Sequence, residues 1–140
     1  MKKSEIINFL SCTYCRIKES SIHGIGVHAI VDIKKNTNLF PDCSCDLNNM
    51  KAISKEEIPH LNAPTIKMMS DFFIETNTHY FTTTSLNTIN ISYFLNHSDE
   101  PNCKNVKGFW HQIPVCYLTT IKPIKPVATL GYFSNILKRK

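Results

Sequence analysis

The chain has 140 residues, of which 42% are hydrophobic and 19% are charged, a globular composition that excludes a disordered chain. The formal net charge is +5, with one basic cluster at residues 137–140, and such a terminus is usually solvated. No stretch approaches the ~18 apolar residues of a membrane helix, and no signal-peptide core follows Met1. We therefore expect one soluble, intracellular domain with no membrane partner and no nucleic-acid partner.

The first third of the chain has the pattern of short strands separated by turns. Strands are predicted over residues 15–18 and 27–31, with a turn at the glycines of residues 24–26. A further extended piece, residues 38–40, is predicted to stop at Pro41 because proline cannot donate to a sheet ladder.

The middle of the chain has helical patterns, and strand-forming residues return after it. Ser54 and Glu57 have the spacing of a capping box, which predicts a short helix. Residues 65–73 carry apolar side chains at helical spacing, whereas residues 79–84 and 114–121 are rich in β-branched and aromatic residues. Many short strands with one helical insertion predict an α+β domain that is mostly β.

Six cysteines leave two interpretations open. In a chain without a secretory signal, reduced and buried thiols are the usual state. Four of them form two closely spaced pairs that could bind tetrahedral Zn²⁺, namely Cys12, Cys15, Cys43 and Cys45. The second pair is tight and no glycine follows either pair, so buried thiols are favoured and no metal is expected.

Two segments concentrate groups that could hold a ligand. Gly24-Ile25-Gly26 would let a ligand approach main-chain amides closely, although a plain turn is the commoner explanation for such a segment. Asn96-His97-Ser98 follows Tyr93-Phe94-Leu95, which we predict to be a buried strand. No second histidine or cysteine has metal-like spacing to His97, which weakens a metal site. A hydrolase using His97 and Cys103 stays open, because such partners meet only in the fold.

The order of these segments resembles the SET-domain family of protein-lysine methyltransferases. The resemblance is carried by Gly24-x-Gly26-Val27-x-Ala29, by Asn96-His97-Ser98-x-x-Pro101-Asn102, and by Gly131-Tyr132. Residues 117–124 also resemble the strand and turn that precede the family's closing tyrosine. The resemblance extends from about Arg16 to Phe133, and the chain is similar to the small SET proteins of viruses and bacteria. It implies a single domain over residues 1–140, with a core of about residues 16–133 and a variable insertion of about residues 41–85.

The resemblance also implies a fold, a cofactor and a set of site residues. The fold would consist of small curved sheets with a C-terminal pseudoknot, in which the last segment threads beneath a loop. The cofactor would be S-adenosylmethionine, released as S-adenosylhomocysteine, and no metal would be needed. By matching positions, Gly24, Ile25 and Gly26 would hold the methionine portion of the cofactor. Asn96 and His97 would hold its amino group and adenine. Tyr132 would be the catalytic tyrosine and also contact the cofactor, and Leu130, Asn105 and Phe133 would line the lysine channel.

The proposed chemistry requires a neutral lysine amine. A free lysine has a pKa of about 10.4, so the site must favour the neutral form by desolvation and by the nearby sulfonium. Most of the remaining acceleration would come from alignment of the amine with the methyl group, in which the Tyr132 hydroxyl and main-chain carbonyls would take part.

The sequence departs from the family pattern at four places. Residues 125–128 replace a Gly-Glu-Glu turn, Gly131 replaces an acidic residue, Ile25 an aromatic residue, and Asp99 a cysteine. These differences leave a catalytically weak or inactive SET-like binding module as the alternative function. The expected partner is a protein with a target lysine, with histones and ribosomal proteins as candidates, in the cytoplasm or in a host nucleus. The sequence leaves the oligomeric state open, a dimer included.

Overall fold

The computed structural model describes residues 1–21, 24–43, 45–110 and 112–132. Within them lie two α-helices, α1 (Lys3–Leu10) and α2 (Ala63–Phe72). The strands in the same residues are β1 (Cys15–Glu19), β2 (Ile25–Ala29), β3 (Cys45–Asp46), β4 (Lys51–Ser54), β5 (Ile74–Glu75), β6 (His79–Thr82), β7 (Asn96–His97), β8 (Cys103–Trp110), β9 (Ile113–Thr120) and β10 (Gly131–Tyr132). The predicted fold class, α+β and mostly β, is confirmed.

The strands form three small sheets. Strands β1 and β2 form an antiparallel pair, and the largest sheet has the order β3-β9-β8-β10-β7. The third sheet has the order β4-β6-β5 and lies in the range predicted as the insertion, together with α2. Strand β3 also lies in that range, but it pairs with β9 in the largest sheet.

Strand β10 lies in parallel between β7 and β8, two strands that precede it and are joined by residues 98–102 only. Gly131 is opposite Asn96, and Tyr132 is opposite both His97 and Cys103. The joining loop is bonded to the inserted strand, because Ser98 N donates to Tyr132 O at 2.9 Å and Asn102 N donates to Gly131 O at 3.1 Å. This arrangement confirms the predicted C-terminal pseudoknot.

Two turns of the chain have the same arrangement and face each other. Ile33 and Ile124 exchange two main-chain hydrogen bonds, each of 2.8 Å. Three residues after each isoleucine the backbone is left-handed, with φ of 64° at Asn36 and 71° at Val127. Asparagine adopts this conformation readily, whereas a β-branched valine is strained there.

Two hydrophobic cores stabilise the domain. The main core contains ten buried residues: Cys15, Val27, Ala29, Ile33, Leu39, Phe40, Leu95, Cys103, Ile124 and Leu130. The second core, formed by Met69, Phe73 and Tyr80, lies between α2 and the three-stranded sheet. The threaded strand packs on the main core through Tyr132.

The structure corrects one prediction and contains elements that the sequence analysis did not predict. Residues 93–95 do not form a buried strand, because Ile91–Phe94 is a 3₁₀ turn in which Asn90 Oδ1 accepts from Ser92 N at 3.0 Å. The capping box at Ser54 is present, but it begins the 3₁₀ turn Lys55–Glu57 and no longer helix. Helix α1, the long strand β8 and the short strands β3, β4, β5, β7 and β10 were not predicted. No helix of the described residues is both long and apolar enough to cross a bilayer.

Candidate functional site

The threaded strand brings together the three segments that the sequence singled out. The register of β10 with β7 sets Tyr132 beside His97 and Gly131 beside Asn96. Asn96 in turn reaches the early glycine segment, since its Nδ2 donates a long hydrogen bond of 3.4 Å to Ile25 O, 71 residues away in the chain. Residues from three distant parts of the sequence therefore meet at one place, which we call the three-segment junction: residues 24–26, 96–97 and 131–132.

Two glycines make this approach possible. A Cβ atom on Gly26 would lie 3.1 Å from Asn96 Nδ2 and 3.2 Å from Ser20 Cβ. A Cβ atom on Gly131 would lie only 2.8 Å from Ser98 Cβ, closer than such atoms can be. Gly24 differs from both, because its φ is +52° and a Cβ atom there would meet no atom within 4 Å. The main chain at Gly24 therefore borders open space, whereas Gly26 and Gly131 serve close packing.

Asn102 fixes the position of the threaded strand. Its Oδ1 accepts from Gly131 N at 2.9 Å, and its Nδ2 donates to Thr129 O at 3.0 Å. The Cys103 thiol donates to the same Oδ1 at 3.3 Å. The sequence indicated only a turn at Asn102, since both main-chain partners lie far along the chain and no local pattern identifies them.

The His97 ring lies beside the Asp99 carboxylate. Its Nε2 lies 3.1 Å from Asp99 Oδ1, and the His97 side chain is 29% exposed. Asp99 stands at the position where many SET domains have a cysteine. This contact lies at the edge of the junction, where His97 is opposite Tyr132 in the sheet.

The thiol of Cys103 is a poor nucleophile in this fold. Burial, with a smaller contribution from the neighbouring Cys15, raises its pKa from 9.0 to about 12. Because the thiolate is the reactive form, a thiol with so high a pKa is neutral at physiological pH. The hydrolase that the sequence left open is therefore disfavoured.

The three residues predicted to line the lysine channel lie in different environments. Leu130 is fully buried in the main core, directly before the Gly131-Tyr132 strand. Asn105 is exposed on β8, where its Oδ1 accepts a weak hydrogen bond from Cys116 Sγ at 3.7 Å. Phe133 lies outside the described residues. The assignment of these residues to a channel stays a prediction.

Three of the four cysteines considered for zinc line one cavity of about 230 Å³ beside α1, which Asp42 also lines: Cys12, Cys15 and Cys43. Burial raises the pKa of Cys15 to about 12 and that of Cys43 to about 11. Among the described residues, which leave out the Cys45 side chain, no three histidine, cysteine or acidic side chains are placed to hold a metal.

Comparison with known proteins agrees with this geometry. Residues 24–132 match the family model of the SET domain. A solved chain from Plasmodium falciparum, described as a "putative histone methyltransferase", has a similar fold with a TM-score of 0.57 and 21% sequence identity. The similarity covers 88% of this chain and 94% of that chain. No curated protein sequence matches this chain. Since the family model covers most of the sequence and all three segments of the junction, the chain belongs to the SET-domain family of methyltransferases.

Proposed function

We propose that the protein is a protein-lysine N-methyltransferase that uses S-adenosylmethionine. The observation that supports this proposal most is the three-segment junction, in which Tyr132 lies beside His97 on a strand that Asn102 holds in place. Family membership supports methyl transfer, and the proposal adds the cofactor and the lysine target.

The residues of the junction fit the proposed cofactor. The main chain at Gly24 borders open space, so that main-chain groups are within reach of a ligand, and the neighbouring Ile25 side chain is 52% exposed. Asn96 and His97 supply polar groups at the adjacent strand. We assign the main chain of Gly24, Ile25 and Gly26 to the methionine portion, and Asn96 and His97 to the amino group and adenine. When bound, S-adenosylmethionine supplies an electrophilic methyl group on a sulfonium.

Tyr132 has the features that an aligning residue needs. Its ring is half-buried against the main core, and its backbone is fixed by strands on both sides. A rigid ring with one polar tip can orient a lysine amine while lining an apolar passage. Desolvation in that passage lowers the pKa of the entering lysine, so that the neutral, nucleophilic amine is favoured. Leu130, Asn105 and Phe133 are our candidates for the walls of the passage.

The test is transfer of a labelled methyl group to a panel of lysine-containing proteins, histones and ribosomal proteins included. We expect Tyr132→Phe to lower kcat about 100-fold, the size of effect expected when alignment is lost. Tyr117→Phe, on β9, is the matched control and should retain activity. No transfer by the intact protein, or full activity of Tyr132→Phe, would contradict the proposal.

One observation favours a second function, a SET-like module that binds without catalysis. Residues 125–128, where the resemblance implies a Gly-Glu-Glu turn, carry no acidic residue, and Val127 has a left-handed backbone conformation there. Calorimetry with S-adenosylmethionine separates the functions when transfer is absent: binding would indicate an inactive cofactor-binding relative, and no binding would indicate an interaction module.

A further inference from the structure

The face of the sheet that carries Tyr132 continues along β8 toward the end of the β8–β9 hairpin. Tyr132 and Cys103 are opposite each other in a parallel pair, so their side chains lie on the same face. Alternation along β8 then places Asn105, Lys107 and Phe109 on this face as well. All three are exposed, and Phe109 is 80% exposed, an unusual state for an aromatic side chain. We call these three residues the β8 stripe.

The β8 stripe is held on a regular hairpin. Strands β8 and β9 are paired without interruption from Cys103 opposite Thr120 to Trp110 opposite Ile113. On the other face of β8, the Tyr117 ring lies against Gly108, where a Cβ atom would be 3.2 Å from Tyr117 Cε1. The Tyr117 ring thus covers part of one face of the outer hairpin, whereas the three stripe residues on the other face are exposed.

Among the described residues, no acidic side chain neutralises the charge of the stripe. Lys107 forms no ion pair with any described residue. It is opposite Cys116 in the sheet, and its ammonium acts to lower the pKa of that thiol, which burial raises. An exposed aromatic ring next to an unpaired ammonium is complementary to a partner that offers an acidic and an apolar side chain.

We propose that the β8 stripe docks the substrate protein as an extended segment, with an acidic side chain at Lys107 and an apolar side chain on Phe109. This inference rests on the proposed methyltransferase function, because it takes Tyr132 as the point where the target lysine enters. A strand rises about 3.3 Å per residue, which puts Lys107 about 13 Å and Phe109 about 20 Å beyond the level of Cys103 and Tyr132. The acidic residue is therefore about four residues, and the apolar residue about six residues, from the target lysine.

Two fluorescein-labelled peptides test the proposal with the full chain. One carries Glu four residues and Leu six residues after a single lysine, and the other carries them before it. We expect one of the two to bind, with affinity measured by fluorescence anisotropy. Lys107→Glu and Phe109→Ala should each weaken its binding about 10-fold. Lys104→Glu is the matched control, since Lys104 is also exposed on the same strand but lies on the opposite face, and this variant should bind the peptide as the parent does.

A charge exchange sharpens the test. The peptide with Lys in place of Glu should bind Lys107→Glu better than it binds the parent. Failure of both original peptides to bind, equal effects of Lys104→Glu and Lys107→Glu, or unchanged binding by Phe109→Ala would overturn the docking surface. Tight binding of a DNA duplex that is lost in Lys107→Glu would also overturn it, by assigning the stripe to a nucleic acid.

The two proposals fail in different ways. If the peptide binds with the expected variant pattern and no methyl group is transferred, the docking surface stands and the methyltransferase proposal fails. If methyl transfer to a protein substrate proceeds with the same KM in Lys107→Glu, Phe109→Ala and the parent, the methyltransferase proposal stands and the docking surface fails. Equal melting temperatures of the three exposed-site variants show that they are folded.

Discussion

Asn102 and Gly131 are joined by two hydrogen bonds in opposite senses, across the loop through which the last strand passes. The Asn102 main-chain N–H donates to Gly131 O at 3.1 Å, and the Gly131 N–H donates to Asn102 Oδ1 at 2.9 Å. Asn102 Nδ2 also donates a hydrogen bond to Thr129 O at 3.0 Å. One side chain therefore fixes both ends of the short segment that leads into Tyr132.

Asn102→Ala should lower the free energy of unfolding by about 1–3 kcal/mol, because it leaves Gly131 N and Thr129 O without partners in a partly buried site. Urea denaturation measures the loss. Asn102→Asp keeps an acceptor for Gly131 N but presents a carboxylate to Thr129 O, so it should also be destabilised at pH 7. Asn87→Ala, at an exposed turn position, is the control and should change little. A fully stable Asn102→Ala protein would show that the bridge is dispensable.

Gly131→Ala should destabilise the protein by about 1–3 kcal/mol, the usual effect of overpacking. The added Cβ would lie 2.8 Å from Ser98 Cβ, so either the loop or the threaded strand must move. Removing the opposing atom with Ser98→Gly should recover part of the loss in the double variant. A double-mutant cycle from thermal melts measures this coupling, and strictly additive effects would mean that the clash is relieved elsewhere.

Val127→Gly should raise the free energy of unfolding by about 1 kcal/mol, although glycine usually destabilises ordered backbone. The gain comes from relief of the left-handed strain at φ 71°, and little packing is lost because Val127 is 68% exposed. Val31→Gly is the matched comparison, since Val31 is 42% exposed with an ordinary φ, and it should be destabilised. Equal losses in both variants would show that the Val127 turn is not strained.

The buried thiols predict loss of stability in alkali. Burial raises the pKa of Cys15 and of Cys103 from 9.0 to about 12. Above pH 9 the unfolded chain releases these protons while the folded chain retains them. The free energy of unfolding should therefore fall between pH 9 and 12, by about 1.4 kcal/mol per pH unit for each thiol.

Cys15→Ala isolates this effect from the titration of lysine and tyrosine. The stability difference between the parent and Cys15→Ala should be largest near pH 8 and shrink by pH 10.5, as followed by urea denaturation at each pH. A difference that stays constant over this range would mean that the Cys15 thiol titrates normally in the folded protein.

The residues that sequence analysis identified most reliably are those whose chemistry is specific and whose order in the chain is fixed. Glycines at positions 24, 26 and 131 were noticed because few residues fit where backbones approach closely, and the structure brings all three to the junction. The role of Asn102 could not be predicted from the sequence, because the hydrogen-bond partners of its side chain lie 27 and 29 residues further along the chain.

Two errors of the sequence analysis, at helix α1 and at residues 93–95, have physical explanations. Helix α1 was missed although Ile6, Phe9 and Leu10 have helical spacing, because it has only eight residues and buries none of them. Residues 93–95 have strand-like composition, yet the Asn90 side chain bonds to Ser92 N and Ser92 Oγ and closes a 3₁₀ turn there. In this segment a local side-chain hydrogen bond outweighs the β propensity of the residues that follow.

The threaded strand also sets an order of events during biosynthesis. Strands β7 and β8 leave the ribosome before β10, yet β10 lies between them in the folded protein, so any pairing of β7 with β8 during translation must open again before β10 inserts. Tyr132 is translated after every other residue of the three-segment junction. A nascent chain that stops before residue 131 can contain both glycines of the first segment and all of the second, and it still has no complete site.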